Sequence, residues 1–284
     1  MSGTTTMLFQ RAVIVGVGLL GGSLGLALRE RKLAGQIVGW GRSRASLQAA
    51  LDLQAVDCVE TELSTACAGA DLVVVCTPVE LIVPQVLQCL SAMSPEGLVT
   101  DVGSTKQTIC AALAETASKN FCGSHPLAGS DKSGVCHASA ELFVGRLTVV
   151  TPSGQTSPEL CQRTEKLWQA LGCRTLRMSP DEHDRGVACT SHVPHVVAAA
   201  LASSTPAELL PLAASGWCDT TRVAAGSVEL WRQILMDNRL PVLEALERFS
   251  TSLHPWIKAL RCGDAQQLEQ LLQAGKQQRD SVGN

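Results

Sequence analysis

Ala12-Val13-Ile14-Val15-Gly16-Val17-Gly18-Leu19-Leu20-Gly21 joins a continuous apolar run to three glycines spaced G-x-G-x-x-G. An apolar run of this kind reads as a strand buried on both faces of a parallel sheet. Beyond it Leu20, Leu24, Ala27 and Leu28 share one face of a helix. Strand, glycine turn and amphipathic helix form the context in which the spacing signals dinucleotide binding. Gly16 permits the tight turn, Gly18 lets a pyrophosphate approach the backbone, and Gly21 lets helix and strand pack closely. Leu19 and Leu20 open the helix, whose first N–H groups and positive dipole end attract phosphate.

Further strands read outward from this unit. Gln36–Trp40, Leu72–Cys76 and Leu98–Asp101 are the clearest, Phe121–Gly123 and Leu147–Val150 are weaker, and Cys173–Met178 is expected to be the last strand of the same sheet. Their alternation with helical stretches predicts a Rossmann-type, doubly wound α/β sheet. Ser157 can cap a helix whose Leu160, Thr164, Leu167, Trp168 and Leu171 share a face, with Gly172 as its stop. After Ser179 mainly helices are expected. Ser179-Pro180-Asp181-Glu182 is a capping box, Val242, Leu246, Phe249 and Leu253 mark a later helix, and Asp264 caps one carrying Leu268, Leu271 and Leu272. The fold class is therefore α/β with an all-α C-terminal domain, divided as residues 1–178 for the NAD(P)-binding domain and 179–284 for the helical domain.

The end of the second strand bears on the choice of cofactor. An NAD site usually places Asp or Glu there for the ribose 2′-hydroxyl, whereas an Arg suits a 2′-phosphate. Trp40-Gly41-Arg42-Ser43-Arg44 supplies Arg42 and Ser43 and no carboxylate, so NADP is favoured over NAD. Thr77 and Pro78, which end the Leu72–Cys76 strand, complete the expected cofactor set.

Composition narrows the function classes. A hydrophobic content of 45% against 17% charged residues argues for packed domains over disorder. The net charge of −3 and an aromatic content of 3%, with no Tyr, offer neither the basic face nor the stacking platforms of a nucleic-acid binder. The Thr-rich segment Met1–Gln10 lacks the pattern of a signal peptide, and no apolar run spans a bilayer, so a cytoplasmic location with no membrane partner is expected. The 12 Cys form no C-x-x-C pair and read as reduced structural thiols, with Cys76 a small hydrophobe of its strand. No metal is expected, because H-E-x-x-H is absent and the His spacing offers no third ligand.

Chemistry-bearing residues cluster in a few segments. Asp101-Val102-Gly103-Ser104-Thr105-Lys106 follows a strand, whose C-terminal end faces ligand in such a sheet. Gly123-Ser124-His125-Pro126-Leu127-Ala128-Gly129-Ser130-Asp131 presents His125 as a loop histidine, able to take a proton near neutral pH. His183 reads as a polar residue of a first helical turn. In Ser191-His192-Val193-Pro194-His195 the two His share a helix face that Pro194 kinks, with His192 structural and hydrogen-bonded. Arg222 and Trp231 follow.

The extended glycine loop through Gly22-Ser23, the Asp101–Lys106 segment, His125-Pro126-Leu127-Ala128-Gly129, Ser191–His195 and Thr221-Arg222, in this order, resemble the prephenate/arogenate dehydrogenases of tyrosine biosynthesis over nearly the whole chain. The resemblance implies oxidative decarboxylation of prephenate or arogenate. The His matched by His125 takes the ring-hydroxyl proton while hydride leaves for the nicotinamide. Ser104 matches a Ser that bonds the catalytic His and the substrate hydroxyl, and also contributes to the cofactor site. Arg222 matches the Arg that holds a substrate carboxylate, His195 a second substrate-side His, and Ser130 and Asp131 lie where relatives carry substrate-loop residues, the acidic one often Glu. Trp231 is expected near the substrate pocket or the dimer interface, and a homodimer through the helical domain is implied. No chorismate mutase domain is expected before Ala12 and no regulatory domain after Asn284, so any feedback control by tyrosine is expected to act at the active site itself.

Two other readings compete. A β-hydroxyacid dehydrogenase would use a Lys in its helical domain, yet no Lys lies between Lys166 and Lys258. A non-catalytic dinucleotide-binding regulator would have no need of Ser104, His125 and Arg222 together.

Overall fold

The computed structural model describes residues 7–116, 119–129 and 132–283. Its first sheet comprises β1 (Phe9–Val15), β2 (Ala34–Trp40), β3 (Cys58–Glu60), β4 (Leu72–Val75) and β5 (Leu98–Asp101), all parallel in the order β3-β2-β1-β4-β5. Helices α1 (Leu19–Glu30), α2 (Arg44–Asp52), α3 (Leu63–Cys67), α4 (Val79–Leu90) and α5 (Gln107–Leu113) make or follow the crossovers. Alternate strand residues serve opposite faces. Ala12, Ile14, Leu72 and Val74 pack with Leu24, Ala27 and Leu28 of α1. Val13, Val15, Val73 and Val75 pack with Leu63, Ile82 and Ile109 of the helices on the other side. Burial on both faces accounts for the unbroken apolar runs.

A second sheet contains β6 (Gly123–Pro126), β7 (Leu147–Thr151) and β8 (Arg174–Arg177), with β6 antiparallel and β8 parallel to β7. The segment expected to close the first sheet therefore belongs to this one. A single parallel bridge, Val99 to Phe121, carries the chain from β5 toward β6. His125 is not a loop residue: it lies on β6 opposite Val149. Helix α6 (Pro158–Ala170), capped by Ser157, packs the fully buried Trp168 beneath both sheets, and its Nε1 donates to Ser124 Oγ at 2.9 Å.

From residue 180 the chain is helical: α7 (Pro180–Val187), α8 (Val193–Ser204), α9 (Ser215–Thr221), α10 (Val228–Asp237), α11 (Arg239–Cys262) and α12 (Ala265–Asp280). The Ser179–Glu182 capping box is present. A π-helical turn, Ala188–His192, separates α7 from α8. Pro194 accounts for a break here, since its ring and missing N–H disfavour an α-helical ladder through the preceding turn. The buried apolar cluster of this half is small: Ala188, Val193, Val242 and Ala245. Leu212, Val228, Leu240 and Leu260 are each more than 60% exposed, an apolar excess suited to association with a second copy. Among the described residues no helix is long and apolar enough to cross a membrane.

Candidate active site

The strand register brings the candidate loops together. Val15 pairs with Trp40 and Val75, and Val75 with Asp101, so the chain leaves four neighbouring strands at one level. The strand order reverses beside β1, the position at which an open α/β sheet forms its ligand crevice. A groove of about 480 Å³ opens there, lined by Gly16, Val17, Gly18, Trp40, Gly41, Arg42, Ser43, Ser46, Leu47, Cys76, Thr77, Pro78 and Gln85.

Six of the expected cofactor residues line this groove: Gly16, Gly18, Arg42, Ser43, Thr77 and Pro78. Gly16 adopts φ +96°, a left-handed conformation that a side chain would strain. A Cβ on Gly18 would meet nothing within 4 Å, so the space beside this backbone is open to a ligand. Gly21 packs its α-carbon against Gly16 and Ile14, where a Cβ would clash with the Gly16 carbonyl. Leu19 and Leu20 form the first turn of α1 and are half-buried. Ser43 caps α2 through its Oγ, which accepts from Ser46 N at 3.2 Å. No acidic residue is among the lining residues. Cys76, expected only to fill core, borders the groove, and burial raises its thiol pKa well above the ordinary value. The groove fits an extended ligand bearing phosphates, with backbone donors at its glycine end and Arg42 at the other.

On the far side of β4 and β5, His125 meets the helical half. Its Nδ1 lies 2.8 Å from His183 Nε2, and His183 Nδ1 lies 2.7 Å from Asp184 Oδ1. Asp184 also accepts from the backbone N–H of Lys106 at 2.8 Å and of Gln107 at 2.9 Å. His183 is buried, and its engagement of His125 corrects its reading as a merely polar helical residue. Burial, followed by the nearby His183, Lys106 and His192, pushes the His125 pKa well below the ordinary His value. His125 is therefore neutral at physiological pH, as a proton acceptor must be. Lys106 is itself fully buried and ion-paired with Asp101, whose carboxylate also accepts from the N–H of Gly103 and of Ser124.

Ser104 sits half-buried in the turn between β5 and α5, and no hydrogen bond joins it to His125 among the described residues. It is not the cap of α5 either, a position that Lys106 occupies. Ser130 and Asp131 lie outside the described residues. His195 stacks on Trp231 with centroids 3.6 Å apart and rings inclined by 15°, and its Nδ1 is buried without a hydrogen-bond partner. Burial lowers its pKa. His192 meets the same indole edge-on at 6.0 Å, so both His do face one way. His192 is buried, its Nδ1 3.1 Å from Asn238 Nδ2, and desolvation pushes its pKa down to about 4 despite the nearby Asp184. Trp231 lies against Gly226, just past the 3₁₀ turn Arg222–Ala225 that packs on α8. Arg222 is exposed and makes no ion pair among the described residues, so it is not the surface salt-bridge partner that an isolated Arg usually is.

Sequence reasoning missed His183, Asp184 and Asn238. Asp184 meets Lys106 across 78 positions and Asn238 Nδ2 donates to the Asp184 carbonyl across 54, separations no local pattern encodes. The capping box was the one local sign, since it fixes the helix on which both His183 and Asp184 stand.

Comparison with known proteins shows the family to which the chain belongs. The family model described as prephenate dehydrogenase, nucleotide-binding domain, matches residues 24–177, and that described as prephenate dehydrogenase, dimerization domain, matches 179–274. The chain is 32% identical over 283 residues to a prephenate dehydrogenase of Bacillus subtilis, covering 95% of this chain and 75% of that protein. It superposes on prephenate dehydrogenase from A. aeolicus, solved in complex with hydroxyphenyl propionate and NAD+, with a TM-score of 0.89 at 30% identity, covering 99% of this chain and 100% of that one. Arogenate dehydrogenase from Synechocystis gives a TM-score of 0.81 at 31% identity, covering 96% and 100%. The chain belongs to the prephenate/arogenate dehydrogenase family, and it is an oxidoreductase of oxidative decarboxylation in tyrosine biosynthesis that uses a nicotinamide cofactor.

Proposed function

We propose that this chain converts prephenate, or its amino analogue arogenate, with NADP preferred over NAD, and that His125 is the base. The observation that carries the reading is the state of the His125 ring. Burial keeps it neutral, His183 holds Nδ1, and no hydrogen bond engages Nε2 among the described residues. His125 Nε2 takes the proton of the ring hydroxyl as the ring carbon releases its hydride, so the C–O bond becomes a carbonyl. A bound nicotinamide cofactor supplies the hydride acceptor. Loss of the ring carboxylate as carbon dioxide returns an electron pair through the ring to the carbonyl oxygen, which takes the proton back from His125 and becomes the phenolic hydroxyl of an aromatic product.

The remaining roles divide between the two halves of the molecule. Gly16, Gly18, Leu19, Leu20, Gly21, Thr77 and Pro78 hold the cofactor, and Ser104 borders both cofactor and substrate. Arg42 and Ser43 receive the 2′-phosphate, for which a groove without carboxylates is the better host. The unpaired guanidinium of Arg222 grips a substrate carboxylate, which it can do bidentately. His195, held by its stack on Trp231, faces the same ligand with a buried, unsatisfied Nδ1. Ser130 and Asp131 belong to the substrate loop. Residues 1–178 form the cofactor domain, and residues 179–284 form the substrate and homodimerisation domain. The test is purified protein with prephenate or arogenate, each with NAD or NADP, following nicotinamide reduction. Fastest turnover with NADP supports the cofactor assignment. No turnover in all four mixtures, with cofactor binding intact, refutes the substrate class.

A further inference from the structure

We infer that His183 and Asp184 are positioning residues for the base: together they hold His125 in the tautomer that presents a bare Nε2 to the substrate, and Asp184 offsets the charge that His125 gains. The inference rests on His125 being the proton acceptor.

The order of donors follows from the carboxylate. An ionised Asp184 can only accept. Its Oδ1 receives Lys106 N–H and faces His183 Nδ1, while its Oδ2 receives Gln107 N–H. His183 Nδ1 must therefore carry a hydrogen, and with that single ring hydrogen its Nε2 is a lone pair. That lone pair lies 2.8 Å from His125 Nδ1, so His125 in turn carries its hydrogen on Nδ1. The remaining nitrogen, Nε2, is then an acceptor. Reversal of a single link would leave two lone pairs or two hydrogens facing each other inside the protein, which an unsatisfied buried polar group makes costly.

The charges around His125 show why this carboxylate matters. The groups acting on the ring are His183 from α7, Lys106 from the turn beyond β5, and His192 from the π-helical turn; Asp184 stands behind His183 and Asp101 behind Lys106. Lys106 and Asp101 neutralise each other. Asp184 has no Lys or Arg partner among the described residues, and its side-chain partner is His183. When His125 becomes an imidazolium, Asp184 is the unpaired carboxylate among the described residues that reaches it through one intervening ring. The backbone N–H groups of Lys106 and Gln107 hold that carboxylate in place, so no rearrangement is needed at the moment of proton transfer.

The test compares four variants of the full chain, H125N, D184N, H183L and H183Q, by kcat and kcat/KM across pH, with cofactor Kd and Tm measured in parallel. H125N is expected to abolish turnover with cofactor affinity retained. D184N and H183L are expected to lower kcat by about 10²- to 10⁴-fold, the range seen when a catalytic His is left in the wrong tautomer. The acid limb of the D184N profile is expected to move to lower pH, because the protonated base has lost its counter-charge; a purely structural role would leave that limb in place. H183Q keeps the donor order, since its amide oxygen can accept from His125 and its amide nitrogen can donate to Asp184. It is expected to recover activity to within about tenfold of wild type. The H183Q and H183L pair leaves the Asp184 bonds to Lys106 and Gln107 intact, so it reads the relay even where D184N folds poorly. Turnover within about twofold of wild type in H183L, with an unmoved acid limb and an inactive H125N, overturns the inference. An active H125N overturns the base itself, and the inference with it.

Discussion

Replacing Gly21 by Ala adds one methyl group at the point where α1 leans on the cofactor turn. The new Cβ would stand 2.9 Å from Ile14 Cγ2 and 3.1 Å from the Gly16 carbonyl carbon, and closer still to the Gly16 oxygen. Carbon atoms pack best at about 3.5–4.0 Å, so either the turn or the helix must retreat by at least about 0.5 Å. Neither moves freely. Gly16 N–H donates to Trp40 O at 2.7 Å, and Leu24, Ala27 and Leu28 of α1 are fully buried. Overpacking of this kind costs about 1–3 kcal/mol. A displacement of this size at the phosphate-binding turn is expected to weaken cofactor binding by about ten- to a hundredfold. Gly18→Ala is the control, because its Cβ meets nothing within 4 Å in the protein and intrudes only on the ligand's space. Cofactor titration followed by quenching of Trp40, which lines the groove, reads affinity, and thermal unfolding reads stability. G21A should lose both affinity and Tm, whereas G18A should lose affinity alone. Wild-type Tm and affinity in G21A, or a destabilised G18A that binds normally, would refute the reasoning.

Arg42→Glu replaces the cation that faces the groove by the anion typical of an NAD site. The ratio of kcat/KM for NADP to that for NAD should fall by about ten- to a hundredfold, equivalent to losing one charge-assisted hydrogen bond of about 1.5–3 kcal/mol; an unchanged ratio removes Arg42 from cofactor selection. Asp101→Asn leaves the buried Lys106 cation unpaired, and denaturant unfolding should show a loss of about 3–5 kcal/mol; a loss below about 1 kcal/mol would mean that water reaches the pair. His192 links pH to stability. Its folded pKa, about 4, lies below its ordinary 6.5, so the unfolded chain binds the proton more tightly. The stabilisation is complete above about 6.5 and drains away as pH falls to about 4, at most about 3 kcal/mol for this residue. Tm measured over that window should slope upward with pH, and His192→Gln should flatten the slope; an identical slope in the variant would assign it to other groups.

Much of the α/β half was legible because its strands are buried on both faces and its glycines answer to one ligand shape. Ala12–Val15 and Leu72–Val75 have no exposed face, so apolar runs alone locate them. β3 was missed because three half-buried residues, Cys58–Glu60, carry no period. β6 was placed two residues early. Its strand contains Ser124, buried by bonds to Thr100 and Asp101, together with His125 and Pro126, and none of these follows the usual strand composition. Among candidate residues, His125, Arg42 and the glycines were readable because each stands beside a strand end. The chain from His125 through His183 to Asp184 was not, because His183 is separated from His125 by 58 positions and is buried only once the two halves meet.

The two halves contribute different things, and His125, the proposed base, stands at their seam. The glycine turn, Arg42 and Thr77 all lie in the sheet domain, and every residue lining the groove comes from it. Arg222, His195 and Trp231 all lie in the helical half. His125 is on a four-residue strand, too short to orient a ring by itself. Its orientation comes from α7, whose Asp184 is pinned at its carboxylate by the backbone of Lys106 and Gln107 and at its carbonyl by Asn238. Asn238 stands at the break between α10 and α11, is buried, and also bonds His192 on the π-helical turn. The start of α11 is thus one hydrogen bond from the residue that orients the base, while the rest of that helix exposes Leu240, Leu243, Ile257 and Leu260. The family model matched over residues 179–274 is described as a dimerization domain, and an apolar surface of this kind suits covering by a second copy.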